Sequence, residues 1–378
     1  MEKIVAPIIA HAEFDTLRGG VCVLPLQVAA AFIIIAALST STLTYSAGAP
    51  FKDPLDQPAV TSQLATSTPM ISLARAGERL VAVGLRGRCL ISDDNGSTWI
   101  QASVPVSSDL VAVRFINAEK GWAAGHDGVI LHTEDGGKTW SRQLDGRMLE
   151  RMLKQHFERL EEQGEPDAAA YLDEIKLNYQ SGPEQAILDL WFEDERNGFA
   201  VGTFGTLIAT HDGGKTWESW IERADNPSRL HFYSIRGIDG EVYASSERGV
   251  VFKLNRKEGR FESINTGYGG GLFGVIGTSR VLIAFGLRGN AYRSLDRGVN
   301  WESLKTNVEV GINGAAMLDD RRVVFVTQDG QVLVTTDGGD SFQTFRANRP
   351  TLLTDVELTS DGRLLLSGFN GLQSETLR

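Results

Sequence analysis

The chain has 378 residues, 42% of them hydrophobic, which is ample for a globular core, and a formal charge of −11. That acidic balance excludes nucleic-acid binding, which asks for a basic face. Only two cysteines are present: Cys22 falls in the leader and Cys89 in the first repeat, so no disulfide is expected within the mature domain. His11, His126, His132, His156, His211 and His231 are scattered without zinc-ligand spacing, and no metal or cofactor site follows.

Residues 1–49 read as a signal peptide or an N-terminal anchor. Residues 28–38 are an unbroken apolar run, the length of a signal-peptide core and short for a membrane span. Small and polar residues follow, with cleavage sites after Ser46 or Ala49, although Pro50 disfavours the second. Counted from Val21, the apolar stretch is longer and interrupted only by Pro25 and Gln27, which fits an uncleaved anchor. No twin-arginine pair precedes it, so Sec-type export is expected. Either way the remainder, 50–378, is expected in a periplasmic or lumenal compartment.

Residues 51–70 are polar and carry Pro54, Pro58 and Pro69; within them, 59–65 read as a strand. Short β runs then follow at 71–76, 80–84, 88–92 and 98–102, and again at 110–116, 121–125, 129–133 and 139–143. The last two runs of each set are joined by the pattern Ser/Thr-x-Asp-x-Gly-x-Thr-Trp, at 92–99 and 133–140. It recurs at 210–217 and 294–301, and with Phe for Trp at 335–342. This is the Asp-box. Its Asp accepts hydrogen bonds from nearby backbone N–H groups in a tight turn, its Gly permits the backbone, and its aromatic plugs between strands. Asp94, Trp99, Asp135, Trp140, Asp212, Trp217, Asp296, Trp301, Asp337 and Phe342 are therefore read as structural staples; an enzyme needs one site, not one per repeat.

A second pattern, Gly-x-x-Gly or a relic of it, precedes each box and ends at Gly87, Gly128, Gly205, Gly249, Gly289, Gly330 and Gly371. The intervals are 41, 77, 44, 40, 41 and 41. A period near 40 with short strands means one propeller blade per repeat. The long interval holds an insertion at 145–182, where Met148, Leu149, Met152, Leu153, Phe157 and Leu160 recur at helical spacing. Pro166 opens a second helical stretch that closes at Ser181-Gly182-Pro183. The expectation is all-β: a seven-bladed β-propeller of four-stranded antiparallel blades, with a helical hairpin between blades two and three.

Blades three to seven continue from 186. Blade four has lost its box: residues 254–261 keep the spacing and an aromatic but have no Asp in place. Blade seven has three strands and no box, and the strand at 59–65 is expected to close the ring as its fourth.

In a propeller the turn after the second strand and the link to the next blade share a face, while the Asp-boxes lie on the other. Three Gly-turns carry Arg at their third position, Arg86, Arg248 and Arg288, which suggests a docking spot for acidic groups. The glycine-rich link 266–273 lacks the Gly-Lys-Ser/Thr of a phosphate loop and reads as a flexible loop. No catalytic residue can be assigned. The Arg-Ile-Pro motif of sialidases is absent, and the box speaks for fold rather than activity.

The boxes at 133–140 and 210–217, with Gly-Trp-Ala-Ala-Gly at 121–125 and Gly-Phe-Ala-Val-Gly at 198–202, resemble the photosystem II stability/assembly factors, over about 58–374. The resemblance implies an extracytoplasmic, non-enzymatic β-propeller that assembles or stabilises a membrane protein complex, its partner being a membrane-protein precursor met through an arginine-bearing face. Arg86, Arg248 and Arg288 are the matching positions. The helical insertion, the decayed fourth box and the leader without twin arginines depart from that pattern. A sialidase-like glycoside hydrolase and a glycan-binding propeller are the alternatives, separable by sialoside turnover and by glycan binding without turnover.

Overall fold

The computed structural model describes residues 52–377; the leader reading and Cys22 fall outside them. Seven antiparallel sheets follow one another in chain order, six of four strands and the last of three. Blade two shows the plan: Leu110–Phe115 lines the axis, Gly121–Gly125 and Ile130–Thr133 come next, and Ser141–Leu144 is outermost. The middle strands are almost wholly buried, because both faces of each blade are covered by neighbours. In three box-bearing blades the outer strand shrinks to two residues, Ile100–Gln101, Glu218–Ser219 and Glu302–Ser303, shorter than the sequence pattern suggests.

Each box closes on its own side chains. In blade one, Thr98 donates its backbone N–H to Asp94 Oδ1 at 2.8 Å and its hydroxyl to Oδ2 at 2.6 Å, while Ser92 Oγ donates to Oδ1 at 2.8 Å. Trp99 Nε1 then donates to the carbonyl of Gly96 at 3.1 Å. Asp135, Asp212, Asp296 and Asp337 repeat the arrangement, with Asn300 and Ser341 replacing Thr in the last two. These donors, Thr98 and Asn300 foremost, hold Asp94 and Asp296 down at about 2.

The insertion forms two helices, α1 at Gly146–Glu162, capped by the Asp145 carboxylate, and α2 at Ala168–Asn178. Leu149, Leu153 and Phe157 of α1 pack with Leu172 and Ile175 of α2 and with Ile208 and Ile221 of blade three. Arg229 stacks over Tyr171 at 3.8 Å and pairs with Glu174 at 2.8 Å, and His156 meets Glu222 at 3.0 Å. Most of the apolar stripe is thus spent on the second helix and the rim of the propeller, although Met148 stays exposed.

The expected closing strand does not form. Residues 59–62 run along the outside of blade one: Ala59 N–H donates to the Val104 carbonyl at 3.0 Å, and the Gln101 amide bonds both Ser62 N–H and the Val60 carbonyl at 3.0 Å. Residues Ala65–Ser67 then turn as a 3-10 helix. The outer edge of Gly371–Thr376 is instead occupied by the preceding link, where Asn348 donates twice to Glu375 at 2.6 Å and Arg349 reaches the Leu372 carbonyl at 2.5 Å. Those side chains take the place a strand would need. The ring closes through the inner strands: Asp355 Oδ2 accepts from Leu73 N–H at 2.9 Å, and Thr354 Oγ1 donates to the Met70 carbonyl at 2.8 Å.

Candidate partner-binding face

The inner strands begin on the Gly-turn face. Leu85 N–H donates to the Pro69 carbonyl, His126 to Asp109, Thr203 to Ala186, Leu287 to Gly271 and Phe369 to Leu352, each time joining the turn to the residue or two just before its blade's inner strand. The final glycine of the turn is required by space and by backbone. Gly87 has φ +68 and Gly289 φ +71, and a Cβ there would meet a carbonyl oxygen of the following link, Val106 or Val308, at 2.1 or 2.0 Å. The residue before it also adopts the left-handed region: Arg86, Arg248 and Arg288 have φ 59, 53 and 57. All three arginine side chains are exposed, and among the described residues no carboxylate pairs with their guanidinium groups.

The ring does not bring the three together. Arg248 and Arg288 stand on adjacent blades four and five, bridged by Tyr268, whose hydroxyl donates to the Leu287 carbonyl at 2.9 Å. Arg86 stands on blade one, across the axis. The glycine-rich link expected to be a flexible loop is pinned: Gly249 N–H donates to Gly270 at 2.6 Å, Thr266 to Gly249 at 3.0 Å and Leu287 to Gly271 at 3.0 Å.

At the centre lies a feature that the repeat pattern concealed. Every inner strand carries a register break near its start. The seven residues so displaced are Ile71, Val111, Leu188, Tyr233, Phe273, Asn313 and Thr354, and all seven line the axial cavity, of about 160 Å³. Each is partly exposed, so the channel mouth on this face is a mostly apolar ring, with Tyr233 and Phe273 edge to face at 5.6 Å.

Beneath it sits a charged layer. Arg114 pairs with Asp189 at 2.9 Å, Arg236 pairs with the other oxygen of Asp189, and Asp189 also accepts from Ile235 N–H at 3.0 Å. Asp355 occupies the same role between blades seven and one, receiving Ser72 Oγ at 3.2 Å. Burial raises Asp355 above the usual carboxylate range. A second cavity of about 300 Å³ opens below, shared by Arg75, Arg114, Arg236, Asp355 and Glu357. There, burial and the neighbouring Asp355 push Glu357 up to about 7, against the pull of Arg75 and Arg114. Sequence reading passed over these five residues. The available signal was a charge set inside an inner-strand run, as in Leu-Val-Ala-Val-Arg-Phe and Leu-Thr-Asp-Val-Glu-Leu.

The architecture defines a seven-bladed Asp-box propeller whose two faces differ in kind: one of self-contained turns, the other an apolar channel mouth flanked by unpaired arginines. The chain belongs to the family described as photosynthesis system II assembly factor YCF48, which matches residues 64–151 and 168–268. It is 26% identical over 273 residues to the photosystem II assembly lipoprotein Ycf48 of Synechococcus sp. (strain CC9902), covering 67% of this chain and 68% of that one. To the chloroplastic photosystem II stability/assembly factor HCF136 of Guillardia theta it is 23% identical over 333 residues, 74% and 82% of the two chains. Among solved structures, YCF48 bound to D1 peptide superposes with a TM-score of 0.61 at 19% identity, covering 85% of this chain and 99% of that one. The unmatched stretch between the two family segments falls on the second half of α1 and the turn before α2.

Proposed function

We propose that this chain is an exported, non-enzymatic assembly or stability factor that holds a segment of a membrane-protein precursor against its Gly-turn face. Family membership supports the class of role. The observation that carries the face is the pairing of a partly exposed, mostly apolar ring at the channel mouth with Arg86, Arg248 and Arg288, which have no carboxylate partner among the described residues. An extended segment presenting an apolar residue and a carboxylate fits that combination, the first desolvated at the mouth and the second paired bidentately by guanidinium. The relatives' printed names speak of photosystem II assembly, and one of them was solved with a D1 peptide; a membrane-complex precursor of that kind is the proposed client here. An N-terminal anchor would keep the propeller near such a client.

The test is an affinity capture from solubilised membranes of the source cell, comparing wild type with the Arg86→Ala/Arg248→Ala/Arg288→Ala triple variant. A membrane protein retained by wild type and lost by the variant supports both role and face. Equal retention removes the arginine face, and no retention removes the role.

A further inference from the structure

Blade four's missing box leaves an opening on the opposite face. The box glycines lie on the preceding blade, against its second strand, its outer segment or both. A Cβ on Gly298 of blade five would meet Ile264 and Tyr243 of blade four at 3.5 and 3.6 Å, and one on Gly339 of blade six would meet Leu304 of blade five at 2.9 Å. In blade three, Gly213 accepts hydrogen bonds from Trp122 Nε1 at 3.3 Å and Gln143 Nε2 at 2.9 Å, both from blade two. The corresponding residues of blade three are Phe199 and Trp220. Blade four offers them a plain hairpin, Val250–Asn255 to Arg260–Asn265, in place of a box.

What remains is a cleft of about 200 Å³ walled by Phe199, Trp220 and Leu254, with Asn197, His211 and Arg256 at its mouth. Phe199 meets Trp220 edge to face at 5.0 Å. The mouth residues hold one another: Arg256 pairs with both oxygens of Glu193 at 2.8 and 3.2 Å, His211 Nδ1 bonds Asn197 Oδ1 at 3.0 Å, and Trp220 Nε1 donates at 2.9 Å to the Glu218 Oε1 that His211 Nε2 faces at 3.5 Å.

We propose that this cleft is a binding site for one planar aromatic ring, entering where the absent box would have lain. Its volume is below the roughly 300–1,000 Å³ of ordinary small-molecule pockets, which suits a single ring. Aromatic walls favour an aromatic guest in edge or offset geometry, and the Arg256 guanidinium, held on Glu193, lines the entrance. The ring is either the side chain of a partner protein or a free small aromatic, and the site lies on the face away from the arginines, so it stands apart from the reading above.

The experiment titrates indole, and separately a Gly-Gly-Trp-Gly-Gly peptide, into the full-length protein by calorimetry and amide NMR. Two variants accompany wild type: Trp220→Gln, which installs blade two's residue, and a graft restoring the box through Leu254→Thr, Arg256→Asp, Lys257→Gly, Glu258→Gly, Arg260→Thr and Phe261→Trp. Saturable binding to wild type, weakened at least about tenfold in whichever variants melt cooperatively, supports the site. Tighter binding of the peptide assigns the ring to a partner's side chain; tighter binding of indole assigns it to a free aromatic. No saturable binding of either probe, or equal binding by the graft, overturns the proposal.

Discussion

The two faces of the ring use one backbone device to opposite ends. On the box face, Asp94, Asp135, Asp212, Asp296 and Asp337 commit both carboxylate oxygens to their own turns. On the Gly-turn face the residue before the final glycine is left-handed in five blades, as Arg86, Asp127, Phe204, Arg248 and Arg288, while Asp329 and Asn370 of blades six and seven stand in turns without that conformation. The acidic versions fold back, Asp127 onto Ser108 at 2.6 Å and Asp329 onto Thr327 at 2.7 Å, whereas the arginines do not. A residue that repeats and satisfies itself is a staple. One that varies and leaves its side chain in solvent is under no such constraint from the fold.

The sharpest way to separate support from function lies between the faces. Asp189→Ala would leave Arg114 and Arg236 without their shared counter-ion in a confined channel and orphan Ile235 N–H. Removing one partner of such a buried cluster costs about 3–5 kcal/mol, read as a lower urea midpoint. A loss under about 1 kcal/mol would mean that the charged layer is not a clamp.

Glu357 should show the next effect, and only as pH changes. Its folded value of about 7 lies above the ordinary 4.5, so between those values the unfolded chain ionises while the folded one retains its proton. Stability therefore falls as pH rises from about 4.5 to 7 and is level above. Glu357→Gln removes that dependence: no gain at pH 4, and a gain of at most about 3 kcal/mol at pH 8. Parallel stability–pH curves for the two proteins would refute the assignment.

These interior groups mark the limit of what the sequence made legible. Blade number, strand order, the helical insertion and the fate of each box could be read because the determinants are local: a turn of eight residues carries its own hydrogen bonds. The axial ring could not. Ile71, Val111, Leu188, Tyr233, Phe273, Asn313 and Thr354 share no residue type and are related only by a register break that pairing creates. Asp189 and Asp355 acquire meaning from the next blade's N–H, a contact across the ring's seams. The closing strand failed for the same reason: Gln101 and Asn348, both outside the segment, decide where 59–65 can lie.

On the box face, Asp135→Ala should cost about 1–2 kcal/mol, as loss of a comparable turn-capping carboxylate does, with the Gly-turn face untouched. The acid limb adds an independent check. With Asp94 and Asp296 held at about 2, below an unfolded value near 3.9, their stabilising contribution is complete above that value and disappears as pH falls through 2. An Asp94→Asn variant should therefore differ from wild type less at pH 2 than at pH 6. A constant difference would show that the turn does not depend on the charge.

The smallest effect on stability should accompany the largest effect on binding. Arg86, Arg248 and Arg288 are exposed and, among the described residues, without a carboxylate partner, so each change to Ala should alter unfolding by no more than about 0.5 kcal/mol. Because Arg248 and Arg288 are neighbours across one seam and Arg86 lies opposite, the double variant Arg248→Ala/Arg288→Ala should reduce client capture more than Arg86→Ala alone if the client engages one sector of the face. Equal losses from either side would mean that the bound segment crosses the channel mouth, and would place the ring of displaced residues under it. Comparing the two captures alongside the variants' melting curves distinguishes a contact made by the arginines from damage to the blade that carries them.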